Sequence, residues 1–356
     1  MYRGEKFFKL NTEKSILSSK IENGRLGIYV YEKLKHHPIS KQYWLWFDAE
    51  DIWNFAFKKV TEVMNDARQE KNITQSLRKK QGLKYNTDEI IDIFYDIQAG
   101  SYVSAAVENV KLSKHLKNYT SELVRTILSL CKPASILEAG VGEATTLSGV
   151  LQGLDTDIDS FGFDLSWSRI AWAKRWLQSK QITTTLCTGS FFNIPFADNS
   201  IDLVYTSHSI EPNGGKEAPI LRELFRITRK YLILLEPGYE LANDEIKQRM
   251  DTHRYCKNLK GIAESLGFNV LAHNIYPFIW NPLNPTAITI IEKQTDAAPP
   301  AFFFACPKFK TPMKKIGNVF YSPEALMIYP IIDGIPCLRI ENGILASKYE
   351  EIVGMT

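Results

Sequence analysis

Cysteine is scarce in this chain. There are five in 356 residues (Cys131, Cys187, Cys256, Cys306 and Cys337), an odd number, widely scattered, with no Cys-x-x-Cys pair. That pattern suits a reducing cytosol better than a disulfide framework. No uncharged run approaches the roughly 20 residues that span a bilayer, and the opening MYRGEKFFKL lacks the apolar core of a signal peptide. A cytoplasmic protein with no membrane partner is therefore expected. An excess of either charge is missing as well: 43 Lys and Arg face 40 Asp and Glu, leaving a net charge of +3. So even a balance gives no support for an extended nucleic-acid footprint, and a small-molecule partner is expected instead. Internal repeats and low-complexity tracts are also absent, which excludes a solenoid.

What is present divides into three textures. Residues 1–118 read as a helical N-terminal region. From Gln42 to Gln69 apolar residues recur at helical spacing, with Trp46, Trp53, Phe57 and Val60 near one stripe, and a second helical stretch runs from Thr87 to Val107. The aromatic stripe reads either as a packed helical core or as a lid over a substrate. From about Leu123 short apolar runs alternate with helical patterns. The strands are expected at Ser135–Ala139, Ser160–Asp164, Thr183–Cys187, Ile201–Thr206 and Tyr231–Glu236, with helices at Ser166–Ser179 and Ala218–Thr228. That alternation predicts right-handed βαβ units on a parallel sheet. Phe268–Tyr276 and Thr286–Glu292 follow as an antiparallel pair, giving seven strands. Residues 119–294 thus form one α/β domain. TDAAPP (295–300) is a linker, and residues 301–349 form a small β-rich tail with an Asp333-Gly334 turn.

The segment SILEAGVGEATTL (135–147) carries most of the chemical signal. An apolar strand runs into Glu138, then a Gly140-x-Gly142 turn, then a helix near Ala144. The glycines let the backbone bend sharply and a ligand approach it closely. A dinucleotide site would read GxGxxG with a pyrophosphate on the helix N-terminus. An acid two places before the first glycine suits the amino group of a zwitterionic, sulfonium-bearing cofactor instead.

On these residues, 135–293 resemble the class I S-adenosylmethionine-dependent methyltransferases, whose first motif is an acid followed by GxGxG; Ala144 stands at the last glycine. The resemblance implies a Rossmann-like seven-stranded sheet and S-adenosyl-L-methionine as cofactor. In FGFDLSWSRIAWAK, Asp164 ends the second strand, where such folds place an acid against the ribose hydroxyls, with Leu165 following; capping the next helix is the alternative role, open to Ser166 as well. In TGSFFNIPFADNSIDLVYTSHSIEP, many relatives have an adenine-binding Asp where this chain has Ser190, so Phe191 or Phe192 is expected to substitute. YDIQAGSYV resembles the loop folded over the cofactor, which nominates Tyr95, Gln98 and Tyr102, or helix packing alone.

Beyond the fourth strand the chain reads Ser207-His208-Ser209-Ile210-Glu211-Pro212-Asn213. Open α/β sheets place ligands at the carboxyl ends of their strands, so Ser207 is expected at the cofactor and His208 with Glu211 as the acid–base pair. The alternative is that His208 packs over the cofactor or caps a helix. Glu236, Pro237 and Tyr239 end the fifth strand and are expected in the same pocket. Asn213, Tyr239, His253, Arg254, Tyr255, Asn281 and Asn284 are candidates for a hydroxylated or anionic acceptor, although turn chemistry accounts equally well for the Asn-Pro pairs.

Residues 304–340 resemble the small zinc-ribbon proteins that activate tRNA and protein methyltransferases. Cys306 survives, but Phe309 holds its partner position and YSPEA has no second pair, so a metal-free ribbon is expected, with room for a homodimer or a protein partner docking through it. The expected activity is methyl transfer to a hydroxyl or amine of a polar small molecule, such as a sugar or nucleotide-sugar. An RNA or protein methyltransferase is the alternative, and a non-catalytic cofactor-binding subunit a third.

Overall fold

The computed structural model describes residues 14–22, 25–32, 41–48, 73–154, 157–293, 295 and 298–354. The chain divides into two units, residues 1–73 and 74–356.

In the first unit, β1 (Lys14–Glu22), β2 (Arg25–Glu32) and β3 (Lys41–Asp48) form an antiparallel meander. This corrects the helical reading at these residues; among the described residues of the N-terminal region, it holds from Ile73 onward. Trp46 lies in β3, while Trp53, Phe57 and Val60 lie outside the described residues. The physical reason is compositional. RLGIYVYE alternates Leu26, Ile28 and Val30 with aromatics, and QYWLWF is built from residues that favour a pleated surface, so each has a partner strand. Asn23-Gly24, the strongest short hairpin signal, stands in the sequence between the paired Glu22 and Arg25.

The second unit opens with helices α1 (Ile73–Gln81), α2 (Asp88–Ile97), α3 (Ser101–Glu108) and α4 (Val110–Leu130). Strands and helices then alternate: β4 (Ser135–Ala139), α5 (Thr145–Leu154), β5 (Asp159–Asp164), α6 (Trp167–Ser179), β6 (Thr185–Thr188), β7 (Ile201–Ser207), α7 (Glu217–Ile227) and β8 (Thr228–Pro237). Helices α8 (Asp244–His253) and α9 (Leu259–Ser265) lead into β9 (Asn269–Ile275) and β10 (Thr286–Glu292). The sheet order is β6-β5-β4-β7-β8-β10-β9, with only β10 antiparallel to its neighbours. The strand order reverses between the parallel neighbours β4 and β7, and in open α/β sheets ligands bind at such a switch point.

The strands read as continuous apolar runs because both faces are covered. Ile136, Leu203, Tyr205 and Ile233 point to the side packed by α4, α5 and α6, while Leu137, Val204, Leu232 and Leu234 pack against α7 and α9. No helix among the described residues is long and apolar enough to cross a membrane.

The tail forms β11 (Lys314–Ile316), β12 (Val319–Ser322), β13 (Met327–Ile332), β14 (Ile335–Pro336) and β15 (Ile344–Leu345). Asp333 and Gly334 both have positive φ, +50° and +71°, which is the conformation a two-residue hairpin turn demands. The tail docks on the edge strand β6 of its own chain. Thr188 bridges Cys337 in parallel, and the Leu338 amide donates to the Thr188 carbonyl at 3.2 Å. Phe303 and Phe304 pack on Phe161 and Phe196, with ring centroids 4.5 and 5.3 Å apart. Cys306 is buried and Phe309 exposed, and no cluster of three or more His, Cys, Asp or Glu side chains suited to a metal occurs among the described residues.

Candidate active site

The turn after β4 is held by three residues in left-handed backbone conformation: Gly140 (φ +72°), Gly142 (+53°) and Ala144 (+58°). A Cβ on Gly140 would stand 2.3 Å from Ser209 Cβ, and one on Gly142 would stand 2.6 Å from an Arg169 nitrogen. Both glycines are therefore required by space as well as by φ. Ala144 is a larger departure than packing alone implies, because its buried methyl sits in a conformation that L-residues avoid. Asp164 organises this turn. Its Oδ2 accepts from the Gly142 amide at 2.9 Å and its Oδ1 from the Ser166 amide at 3.0 Å. The cap of α6 is Ser166, whose Oγ accepts from the Arg169 amide.

Two residues that the sequence did not single out complete the turn. Glu143 is buried and accepts from the Gly100 and Val103 amides at 3.0 and 2.7 Å, tying the start of α3 to the glycine turn. Arg169, also buried, lies over the rings of Tyr95 and Tyr102 at 5.1 and 4.6 Å, with Glu143 3.9 Å from its Nε. Helix α2 is sewn to the same region by three carboxylates four residues apart. Asp88 accepts from Ser190 Oγ (2.7 Å), Asp92 pairs with Arg339, and Asp96 accepts from Ser166 Oγ (2.7 Å). Arg339 also donates to the Leu165 carbonyl at 3.1 Å, so the tail braces the loop after β5. No local pattern marks these contacts, which join segments far apart in sequence.

These elements enclose a cavity of about 550 Å³, within the usual range for a small-molecule site. Of the residues expected to hold the cofactor, Glu138, Gly140, Gly142, Asp164, Leu165, Ser190, Phe191, Ser207 and Tyr102 all line it. Gln98 does not; it caps α2. Glu138 is almost fully buried, and burial pushes its carboxyl up to about 8, against the opposing pull of hydrogen bonds from the Tyr205 hydroxyl (3.0 Å) and the Leu147 amide. Five acids (Asp88, Glu138, Glu143, Asp164 and Glu211) line the cavity with one already engaged arginine, a balance that suits a ligand bearing an amine and hydroxyls better than a pyrophosphate.

The loop after β7 carries the residues expected on the acceptor side. His208 has φ +52°, and both of its ring nitrogens are engaged: Nδ1 with Glu211 Oε2 and Nε2 with Thr286 Oγ1, each at 2.7 Å. Burial works to lower the His208 pKa, yet the hydrogen bond and charge of Glu211, with Glu236 behind, raise it above the ordinary imidazole value. Burial likewise works against the Glu211 charge, but hydrogen bonds from His208, Asn284 and Tyr255 hold its pKa below the usual carboxylate value.

Glu236 lies beneath this loop rather than in the cavity, which corrects its expected place. It accepts from the amides of Ser209, Ile210 and Glu211 at 3.0–3.1 Å and so fixes the loop, and burial pushes its carboxyl up to about 7. Asn213, Asn281 and Asn284 line the cavity; Tyr239, His253 and Tyr255 do not. Tyr239 donates to Asp251 at 3.2 Å, His253 stacks on Tyr255, and Tyr255 backs Glu211 from outside. Helix α8 holds Asp251 and His253 on the far side of Glu211, a placement that the sequence spacing does not show. Leu112, Leu116, Tyr119, Phe278 and Trp280 line the cavity as well, with the His115 ring among them, 5.3 Å from that of Trp280.

The methyltransferase domain family matches residues 136–231. Over 37 residues the chain is 46% identical to a UPF0434 protein of Vesicomyosocius okutanii, a match covering 10% of this chain and 63% of that relative's length. Among solved structures, the chain is similar to magnesium protoporphyrin IX methyltransferase from Synechocystis with bound SAH. That match is 13% identical and covers 57% of this chain and 99% of the other, with a TM-score of 0.45. It is also similar to a SAM-dependent methyltransferase from Aquifex aeolicus, at 15% identity over 50% of this chain and 90% of the other, with a TM-score of 0.37. The matched residues contain the acid, the glycine turn and strands β4 to β7, whose neighbours in the sheet frame the cavity. Residues 136–231 of this chain match a methyltransferase domain, carried on the sheet of order β6-β5-β4-β7-β8-β10-β9.

Proposed function

We propose that the chain transfers a methyl group from S-adenosylmethionine to a hydroxyl or amine of a small molecule that carries no phosphate, with His208 as base and Glu211 as its orienting partner. One observation carries this reading: the hydrogen-bonded His208–Glu211 couple lines the same cavity as the residues expected to hold the cofactor. The bound cofactor supplies a methyl group already activated on a sulfonium. The protein's share is alignment, exclusion of water and removal of the acceptor proton. Leu112, Leu116, Phe278 and Trp280, with His115 beside Trp280, present side chains for the acceptor body. Asn284 donates to Glu211, and its Oδ1 has no partner among the described residues, leaving an acceptor for a ligand N–H or O–H. Arg169 is the only lysine or arginine among the described residues lining the cavity, and it is committed to the cofactor end. A neutral sugar or similar metabolite fits this wall better than a nucleotide-sugar does.

His208 accepts a proton only in its neutral form. Since its pKa is raised above the ordinary imidazole value, the rising limb of turnover against pH lies at higher pH than a free imidazole would give. The test is a screen of neutral hydroxylated and aminated metabolites for release of the demethylated cofactor, followed by His208→Ala on any acceptor found. Turnover is expected to fall by about 10²–10⁴-fold, with cofactor affinity unchanged and the rising limb of the pH profile lost. A variant that keeps both its rate and that limb removes His208 from the chemistry.

A further inference from the structure

The loop after β6 places Ser190, not a carboxylate, at the cavity end beyond Asp164. Helix α2 brings a carboxylate to the same spot. Asp88, the first residue of α2, lines the cavity and accepts from Ser190 Oγ through Oδ2 at 2.7 Å. Ser190 is itself buried and accepts from the Phe192 amide at 3.2 Å, so its hydroxyl proton is committed to Asp88. Asp88 Oδ1 has no hydrogen bond among the described residues, and no lysine or arginine among them lines this end. The same cavity is lined by Ile91, Phe163, Leu165 and Phe191, the two phenylalanine rings packed edge to face at 5.5 Å. A carboxylate can only accept, so one fixed in a cavity with these rings selects a planar ligand that presents an N–H on its edge.

Resting on the cofactor reading above, we infer that Asp88 is the residue that recognises the adenine of the cofactor, accepting its exocyclic amine through Oδ1. Ser190 acts as a positioning residue that aims the carboxylate. Helix α2 is held in place for this task by its other two carboxylates: Asp96 binds the Ser166 cap, and Asp92 pairs with Arg339. The adenine end of the site is therefore assembled from two segments 102 positions apart in sequence.

The experiment compares calorimetric binding of S-adenosylhomocysteine and S-inosylhomocysteine, in which a carbonyl oxygen replaces the exocyclic amine, to the full-length protein. The wild type is expected to prefer the adenine compound by about tenfold to a hundredfold, the range for leaving a buried polar group unmet. Asp88→Asn can turn an amide N–H toward that oxygen, so the preference should collapse or reverse, while Ser190→Ala should narrow it less. Equal wild-type affinity for the two compounds overturns the assignment. So does an Asp88→Asn variant that weakens both by the same factor, because a merely structural aspartate would do that. If Asp88→Asn fails to fold, the wild-type ratio and Ser190→Ala still decide the matter. Failure of the wild type to bind either compound instead removes the cofactor reading itself.

Discussion

Raising the pH changes the charge of Glu138, and with it the affinity for any ligand that brings an ammonium group to the end of β4. In the ligand-free protein, burial pushes this carboxyl up to about 8, and the neighbouring Asp164 charge adds to the push, so at neutral pH the group is mostly protonated. With a pKa about one unit above the pH, roughly nine sites in ten hold the proton. If the ligand's ammonium binds only the ionised form, close to one proton leaves for each ligand bound at pH near 7. Apparent affinity then rises about tenfold per pH unit below about 8 and flattens above it. Calorimetry with S-adenosylhomocysteine in two buffers of different ionisation enthalpy measures that proton directly. Glu138→Gln should bind with an affinity nearly flat in pH. The sign for folding is the opposite of that for binding. An acid whose folded pKa is raised adds stability below its unfolded value and loses it as pH rises through about 8, so the ligand-free wild type should lose stability relative to Glu138→Gln on going alkaline. Flat wild-type affinity, with the same enthalpy in both buffers, would refute the assignment of Glu138 to the ligand's amine.

The glycine turn predicts an asymmetric pair. Gly140→Ala, whose new methyl collides with Ser209, should cost about 1–3 kcal/mol in urea unfolding and abolish ligand binding, whereas Ala144→Gly should stay within about 1 kcal/mol, since relief of the left-handed backbone offsets the lost methyl. Glu143→Ala removes the acceptor of two amides at the head of α3 and should lower stability by about 2 kcal/mol, with faster hydrogen exchange confined to that helix; unchanged exchange there would mean that Glu143 does not hold it. Elemental analysis should find less than one zinc per chain and a thermal midpoint indifferent to chelator, because Phe309 stands where a ribbon needs a second thiolate; a full equivalent would show that other ligands serve.

The parts legible in advance share a short reach along the chain. Strand β4 and strand β10 fall at the expected residues, and α6 begins within one residue of its expected start, because apolar runs and a serine cap are local signals. Glu138, Gly140, Gly142 and Asp164 were readable for the same reason. A strand end and a left-handed turn are dictated by sterics within a few residues, and the return to β5 has a nearly constant length. The N-terminal segment shows where local signals conflict: aromatic residues at helical spacing are also strong strand formers, and pairing with a neighbouring strand decided for β3.

What only the tertiary structure decided is who meets whom. Nothing near Ser190 in the sequence points to Asp88, nor anything near Gly100 to Glu143, because those hydrogen bonds exist only after the sheet has brought its carboxyl ends and α2 together. The same holds for Glu236, which lies at a strand end like Asp164 yet binds three loop amides instead of facing the cavity, and for Tyr239 and His253, which the packing of α8 turns away. The sequence by itself determined the sheet, the glycine turn and the class of cofactor, since backbone sterics and hydrophobic periodicity act over a few residues. The assignment of each buried carboxylate to its partner was left to the fold, since burial makes an unpartnered charge costly and only the assembled core determines which donor is near.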